Sequence, residues 1–416
     1  MSLPNREPSR VSFPWVGLIA LSAVIFLNVT SEMVPTGLLP DMSASLGVSE
    51  EQIGLLVTVF AFTVVLTSTL LTAITRRFPR HALIVWVLVG AAVSNAFTAI
   101  SPSYELVVVS RVAGGMAHGL FWAVVVAYSG HLVAKEHIGR AVSITLAGGT
   151  LAFVFGVPLA TTVGHTFGWR LVFAALSVFM IGGAVVVWLK LPKVERPNLP
   201  ARPERQDNAN TTRTPQSFRA ARGRLRIDPS AGAVVWLCGS VTLIMIGYFS
   251  FFTYIAPFLL GPVGARADWL GALFFVYGLA GAGGLLLAGT VLANRPHRGI
   301  IVAIVIMSIA FVALGLGGNN PVVAIMSFTV LGITFGTLPP LLQTHMLHTS
   351  SERFRDTASS LYSTSFNAGI GTGALVGAAL FGWIGVGGLP FFSVAILLIG
   401  VVILLVSRRQ GPRKAA

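Results

Sequence analysis

Twelve apolar stretches, each near the ~20 residues a helix needs to cross a hydrocarbon layer ~30 Å thick, govern what this chain can fold into. They run at roughly 14–38, 52–74, 82–101, 104–130, 140–164, 169–190, 231–259, 268–292, 299–317, 320–346, 357–383 and 386–407. Lipid offers no partner to backbone N–H and C=O groups, so such stretches are expected to be helices. Composition agrees: 54% of the 416 residues are hydrophobic and 10% charged, against about 25% charged in soluble domains. The first stretch lacks a small-residue cleavage site and continues into a polar segment. It is therefore expected to remain as a span and not to be removed as a leader.

Charge gives the expected topology. Twelve spans put both ends on one side, together with the even-to-odd loops. That side carries all 28 Lys and Arg residues except Arg170 and Arg266 on the other side and Arg111 within a span. It includes Arg6, Arg10, the Arg76-Arg77-Phe78-Pro79-Arg80 turn, Lys135, Arg140, Arg295, Arg298, Arg353, Arg355, Arg408, Arg409, Arg413 and Lys414. Basic loops stay cytoplasmic, so both termini are expected inside a bacterial inner membrane. The net charge of +14 is thus a topology signal, and nucleic acid is not expected as a partner.

Residues 191–230 form the one long polar segment, rich in Pro, Arg, Asn and Thr. With so little to bury it reads as a cytoplasmic linker. It divides a bundle at 1–190 from a second bundle, with a short basic tail, at 231–416. The halves echo each other at an offset of about 220 residues. Val34-Pro35-Thr36-Gly37-Leu38-Leu39 answers Ala256-Pro257-Phe258-Leu259-Leu260. Phe167-Gly168-Trp169 answers Phe381-Gly382-Trp383. Ser110, Gly115 and Gly119 answer Ser327, Gly332 and Gly336. A duplicated six-span unit with a basic linker is the pattern of a two-bundle secondary transporter.

Other chemistries find no residues to carry them. The single cysteine, Cys238, supports neither a disulfide framework nor a cysteine-based metal site. There is no Walker sequence for ATP-driven pumping. His-Glu-x-x-His, Gly-x-Ser-x-Gly and paired intramembrane carboxylates are missing as well. An enzyme is not expected, and neither a metal nor a cofactor; the driving force would be the proton gradient.

The spans, the two halves and the basic loop resemble the major facilitator superfamily. Thr30-Ser31-Glu32-Met33-Val34-Pro35-Thr36-Gly37-Leu38-Leu39-Pro40-Asp41 is similar to the first-span signature of bacterial sugar-efflux and arabinose-efflux permeases, in the drug:proton antiporter branch. Ser110-Arg111-Val112-Ala113-Gly114-Gly115-Met116-Ala117-His118-Gly119-Leu120-Phe121-Trp122 resembles their fourth span, where the superfamily keeps an arginine. Phe252-Thr253-Tyr254-Ile255 with Pro257, and Phe366-Asn367-Ala368-Gly369-Ile370-Gly371 with Gly373-Ala374-Leu375, resemble their seventh and eleventh spans. The resemblance implies proton-coupled export by alternating access. Two places depart from it. The second-to-third loop keeps its bases, Arg76, Arg77 and Arg80, but lacks the family's acid and glycines. The fifth-span Gly-Pro pair appears as Gly156-Val157-Pro158.

An ionised side chain in mid-membrane costs at least about 2.5–3.5 kcal/mol on insertion scales, which marks such residues as functional. Glu32 lies eight residues before Pro40 and Arg111 seven residues into its span. At 1.5 Å per residue both sit roughly 10–12 Å deep from the same end, and an Arg–Glu pair is expected. Glu32 reads as the proton-coupling site, with a static packing pair as the alternative. Gly115, His118 and Trp122 follow Arg111 on one helix face. His118 suits a proton relay; a lone histidine equally suits a bond to a neighbouring backbone. Trp122 suits stacking on a substrate, and core packing as well. Asn28, one turn before Glu32, is placed in the same site.

In the second half, span seven offers an aromatic surface of Tyr248, Phe251, Phe252 and Tyr254, fit for a ligand or for helix packing. Ser360, Ser363, Thr364 and Asn367 form a polar stripe on span eleven, from which Asn367 is the substrate candidate. No acid or base lies deep in a second-half span, and Phe328 and Phe335 occupy the repeat positions of Arg111 and His118. The expected function is proton-driven export of a sugar-like or amphipathic drug-like molecule by a single chain embedded in lipid. A passive facilitator and a proton symporter are the alternatives.

Overall fold

The computed structural model describes residues 13–134, 137–192 and 228–410, and among them there is no β-strand. Among the described residues, twelve helices are long and apolar enough to cross a membrane. Spans 1 to 6 are Trp15–Gly37, Glu50–Ile74, Arg80–Ile100, Tyr104–Val125, Ile138–Phe167 and Trp169–Lys190. Spans 7 to 12 are Ala231–Phe252, Ala267–Gly289, Pro296–Gly317, Pro321–Thr349, Thr357–Ile384 and Val386–Leu405. Arg6, Arg10, Lys135, Arg413, Lys414 and residues 193–227 of the expected linker lie outside the described residues.

The repeat is visible in how spans end. Span 1 carries Pro35 in its last turn and continues as a short helix, Leu39–Leu46. Span 7 stops at Phe252 and continues as Ile255–Leu260, around Pro257. The expected unbroken seventh span at 231–259 is thus divided at Thr253-Tyr254. Proline supplies no N–H and its ring crowds the preceding turn, so each helix changes course beside its proline, span 1 at Leu38 just after Pro35 and span 7 at Thr253-Tyr254 just before Pro257.

The glycine echo is also structural. A Cβ at Gly115 would lie 2.8 Å from the Phe60 carbonyl oxygen of span 2. Its counterpart Gly332 is pressed in the same way onto the Tyr277 carbonyl of span 8. Spans 2 and 8 are themselves repeat equivalents, and small residues let such helix backbones meet closely. The Phe-Gly-Trp echo does not hold. Gly168 has φ +94° ahead of span 6 and Trp169 is buried, whereas Trp383 is still inside span 11 and 82% exposed. In the second half the left-handed position falls three residues later, at Gly385.

The halves meet along two seams, span 2 with span 11 and span 5 with span 8. Thr58 Oγ1 donates to the Gly371 carbonyl at 3.0 Å, and Tyr254 is packed onto Gly54. The Phe155 and Phe275 rings meet at 5.8 Å, and Phe153 meets Phe335 at 6.2 Å. These contacts lie toward the end of the bundle away from the basic loops or near mid-span. Below Gly371, toward the basic loops, span 2 presents Leu66, Leu70 and Ile74 exposed. Span 8 meets span 5 chiefly through Ala152–Phe167 and hardly through Ile138–Leu151, nearer the basic loops. Among the described residues the halves are thus held closed at the end away from the basic loops and stand more open toward them.

Span 5 departs from a uniform helix between its α-helical parts, with a π-helical turn at Ala152–Gly156. At the basic-loop end, Asp228 accepts from the Ser230 amide and hydroxyl and from the Ser351 hydroxyl, tying the entry to span 7 to the span 10–11 loop. Those donors hold its carboxyl below the usual carboxylate range.

Candidate functional site

The functional candidates of the first half converge between spans 1, 2, 3 and 4. The starting point is again Pro35. A helix carbonyl is normally met by the N–H four residues on, and Pro35 denies one to Ser31. Arg111 supplies the missing donor: its Nη1 reaches the Ser31 carbonyl at 3.3 Å. Its Nη2 reaches Thr98 Oγ1 at 3.3 Å, while the guanidinium lies 5.0 Å from the Phe173 ring and 5.7 Å from Phe60. Arg111 is 2% exposed. Its positive charge is thus lodged among a freed carbonyl, a hydroxyl and two aromatic faces, the last contributing through cation–π attraction.

The expected direct pair of Arg111 with Glu32 is therefore corrected. Among the described residues, the ion-pair partner of Glu32 within 4.0 Å is His118, with Nε2 to Oε2 at 3.5 Å. Arg111 and Glu32 interact across space without contact. Equal depth was readable by counting residues, but which side chain meets which depends on rotation about each helix axis.

His118 is the junction. Its Nδ1 lies 2.6 Å from Asn28 Oδ1, and Trp122 Nε1 donates to its Nε2 at 2.8 Å. An indole N–H can only donate, so Nε2 must present a lone pair and the ring proton sits on Nδ1, directed to the Asn28 oxygen. The Phe60 ring meets the imidazole edge-on at 5.1 Å. Asn28 Nδ2, buried, has no partner among the described residues. Glu32 keeps 11% side-chain exposure and His118 5%.

Behind this cluster runs a network that sequence reasoning missed. Ser31 donates to Asn95 Oδ1 at 2.7 Å, and Asn95 Nδ2 donates to the Ala91 carbonyl at 2.8 Å. Thr98 and Ser110 hydroxyls bond at 2.7 Å, and Ser94 donates to the Ser110 carbonyl at 2.7 Å. The available signal was Ser94, Asn95 and Thr98 within one apolar span, an intramembrane polar group that needs a partner.

In the second half the aromatic candidates do not share one surface. Tyr248 and Phe252 stack with each other at 5.1 Å, and Tyr248 lies flat on Phe335 at 4.2 Å and 12°. The Tyr248 and Tyr277 hydroxyls are hydrogen-bonded, and Tyr277 stacks on Phe328 at 5.0 Å. Phe251 instead packs on Phe258 and Phe311, because it lies about 100° around the helix from Phe252. Tyr254, beyond the helix break, is fully buried at the closed end, with its hydroxyl donated to the Ala374 carbonyl at 2.9 Å. Asn367 is partly exposed and bonds its own helix at Ser363, apart from the aromatic stack. Asn28, Glu32 and Trp122 thus each meet His118, and Tyr248 and Phe252 share a second cluster. Tyr254 and Asn367 stand outside both.

Twelve spans in two equivalent six-helix bundles, with a buried charged cluster within the first of them, define a secondary transporter. The chain belongs to the Major Facilitator Superfamily, whose family model matches residues 21–344 and again 237–416. That is a family of transporters, not enzymes, and its members generally need no cofactor. The chain is 28% identical over 393 residues to a chloramphenicol efflux pump of Mycobacterium tuberculosis (strain CDC 1551 / Oshkosh), covering 92% of this chain and 91% of that one. Among solved structures it is similar to a bacterial homologue of the human lysosomal transporter Spinster in an inward-facing, occupied conformation. That likeness has a TM-score of 0.75 at 18% identity, over 97% of this chain and 99% of that one. A D-xylose-proton symporter matches with a TM-score of 0.75 at 17% identity, over 96% and 98% of the chains.

Proposed function

We propose that this protein is a proton-coupled exporter of a small molecule, in which Glu32 and His118 hold the coupling proton. The observation that carries the reading is the 3.5 Å approach of Glu32 Oε2 to His118 Nε2 in a nearly enclosed site. Nε2 presents its lone pair to Trp122, so an ionised Glu32 would face that lone pair with one of its own. A proton on the carboxyl, or on the imidazole with Trp122 displaced, removes the conflict. Arg111 favours the ionised carboxylate from a distance and biases the exchange.

Export is supported by the likeness to a chloramphenicol efflux pump. The basic loops support a cytoplasmic location for the open end and for both termini, in a bacterial inner membrane. Substrate would enter from that side and meet Trp122, the unsatisfied Asn28 amide and the aromatic stack of Tyr248 and Phe252. Tyr254 and Asn367 would contribute after rearrangement. The fitting substrate class has a flat face and a hydrogen-bond acceptor, as amphipathic drugs and sugars do. A single chain holds every residue this scheme uses.

The test is proton movement into proteoliposomes read by a pH dye, with chloramphenicol and a panel of sugars, wild type beside Glu32→Gln. Substrate-driven proton flux is expected in the wild type and only background flux in the folded mutant. Substrate transport without proton flux would make the protein a passive facilitator.

A further inference from the structure

Trp122 occupies the one atom of His118 that Glu32 could use. Indole Nε1 is 2.8 Å from Nε2, and Glu32 Oε2 is 3.5 Å from the same nitrogen. A neutral imidazole nitrogen offers a single lone pair in the ring plane, so Trp122 and a protonated Glu32 compete for it. The other nitrogen is engaged with Asn28. Position adds direction. Along span 4, Arg111, His118 and Trp122 follow one another from the closed end toward the open, basic-loop end, and Trp122 is partly exposed where His118 is buried. A molecule arriving through the opening reaches the indole before it reaches the imidazole.

We propose that Trp122 is a positioning residue that keeps the coupling proton on Glu32 until substrate displaces its indole from His118. This rests on the proton-coupled reading above. The step is balanced. When the indole turns to stack on substrate, its N–H leaves Nε2. The Glu32 Oε2–H bond then breaks and an Nε2–H bond forms, giving a carboxylate and an imidazolium that keeps its Nδ1–H on Asn28. Water in the opening takes the Nε2 proton, which restores neutral His118 and leaves Glu32 ionised under the influence of Arg111. Arrival of substrate and loss of the proton become one event, because the same indole blocks one and receives the other. The neighbouring ring fits this assignment: Phe60 meets the imidazole edge-on at 5.1 Å and brings no competing polar atom.

Trp122→Phe retains an aromatic face and removes only the donor. In weakly buffered detergent solution, chloramphenicol is expected to release protons from the wild type. In Trp122→Phe the protons released per drug molecule bound are expected to fall several-fold, with the bound amount measured by calorimetry for each protein. A second measurement needs neither transport nor drug binding by the mutant. The Nε2 resonance of His118 in nitrogen-15 histidine spectra is assigned by its loss in His118→Gln. It is expected to move in drug-free Trp122→Phe, and to move the same way when chloramphenicol is added to wild type. An unchanged Nε2 resonance on drug addition, or full drug-triggered release in Trp122→Phe, overturns the role of Trp122 and leaves proton coupling standing. Absence of any release or proton flux in the wild type overturns both.

Discussion

At the scale of single residues, Arg111 and Pro35 form one device. Proline removes the donor that Ser31 would have had, and the buried guanidinium replaces it while sharing its other arm with Thr98. Hydrogen bonds made by charged groups contribute about 1.5–3 kcal/mol each, so Arg111→Ala is expected to destabilise the protein by about 3 kcal/mol or more. Thermal unfolding in detergent measures this. Arg111→Lys should recover only part, since an ammonium lacks the planar fork that reaches both acceptors. The same truncation should cost about 1 kcal/mol less in a Pro35→Ala background, where the backbone again offers an N–H to Ser31. Equal costs in the two backgrounds would separate Arg111 from the proline. The sequence revealed which residues were buried ions, because a lone Glu and a lone Arg in apolar runs have few uses. It could not show that Glu32 meets His118 and that Arg111 meets a backbone oxygen. Those choices are set by the rotation of spans 1 and 4 against each other.

At the scale of elements, span length was legible because lipid imposes it, whereas irregularities inside spans were not. The break at Thr253-Tyr254 lets Tyr254 leave the face of span 7 and pack across the seam onto Gly54. A side chain at Gly54 would overlap the Tyr254 ring. Gly54→Val is therefore expected to hold the seam between spans 2 and 11 apart at the closed end, where Tyr254 is wedged. Accessibility to a membrane-impermeant thiol reagent checks this, using a cysteine at Gly261, in the loop after span 7, in a Cys238→Ser background. Faster labelling than in the same protein with Gly54 retained is the expected result, and an unchanged rate would show that Tyr254 yields instead. The π-helical turn at Ala152–Gly156 was equally invisible from composition. Its five residues are ordinary helix formers apart from glycine, and it sits where span 5 crosses span 8.

At the scale of the whole molecule, the two seams allow transport only if they can part. A Cβ at Gly371 lies 3.2 Å from the Cβ of Ala61, near the ~3.8 Å spacing of a disulfide. With Cys238 replaced, the pair Ala61→Cys and Gly371→Cys is expected to crosslink on oxidation and to stop substrate transport, with activity returning on reduction. Undiminished transport by the crosslinked protein would mean that this seam stays closed throughout the cycle.

The division of labour between the halves has an electrical consequence. Spans 7–12 bury aromatic rings where spans 1–6 bury Glu32, Arg111 and His118, and no Asp, Glu, Lys or Arg lies deep in the second set. A membrane potential acts on charge alone, at about 2.3 kcal/mol per elementary charge per 100 mV. The second bundle offers such a field almost nothing to move. Among the protein's own Asp, Glu, Lys and Arg side chains, those deep in a span, on which a membrane potential can act, therefore lie on spans 1 and 4, and the aromatic half stands beside them as an uncharged wall.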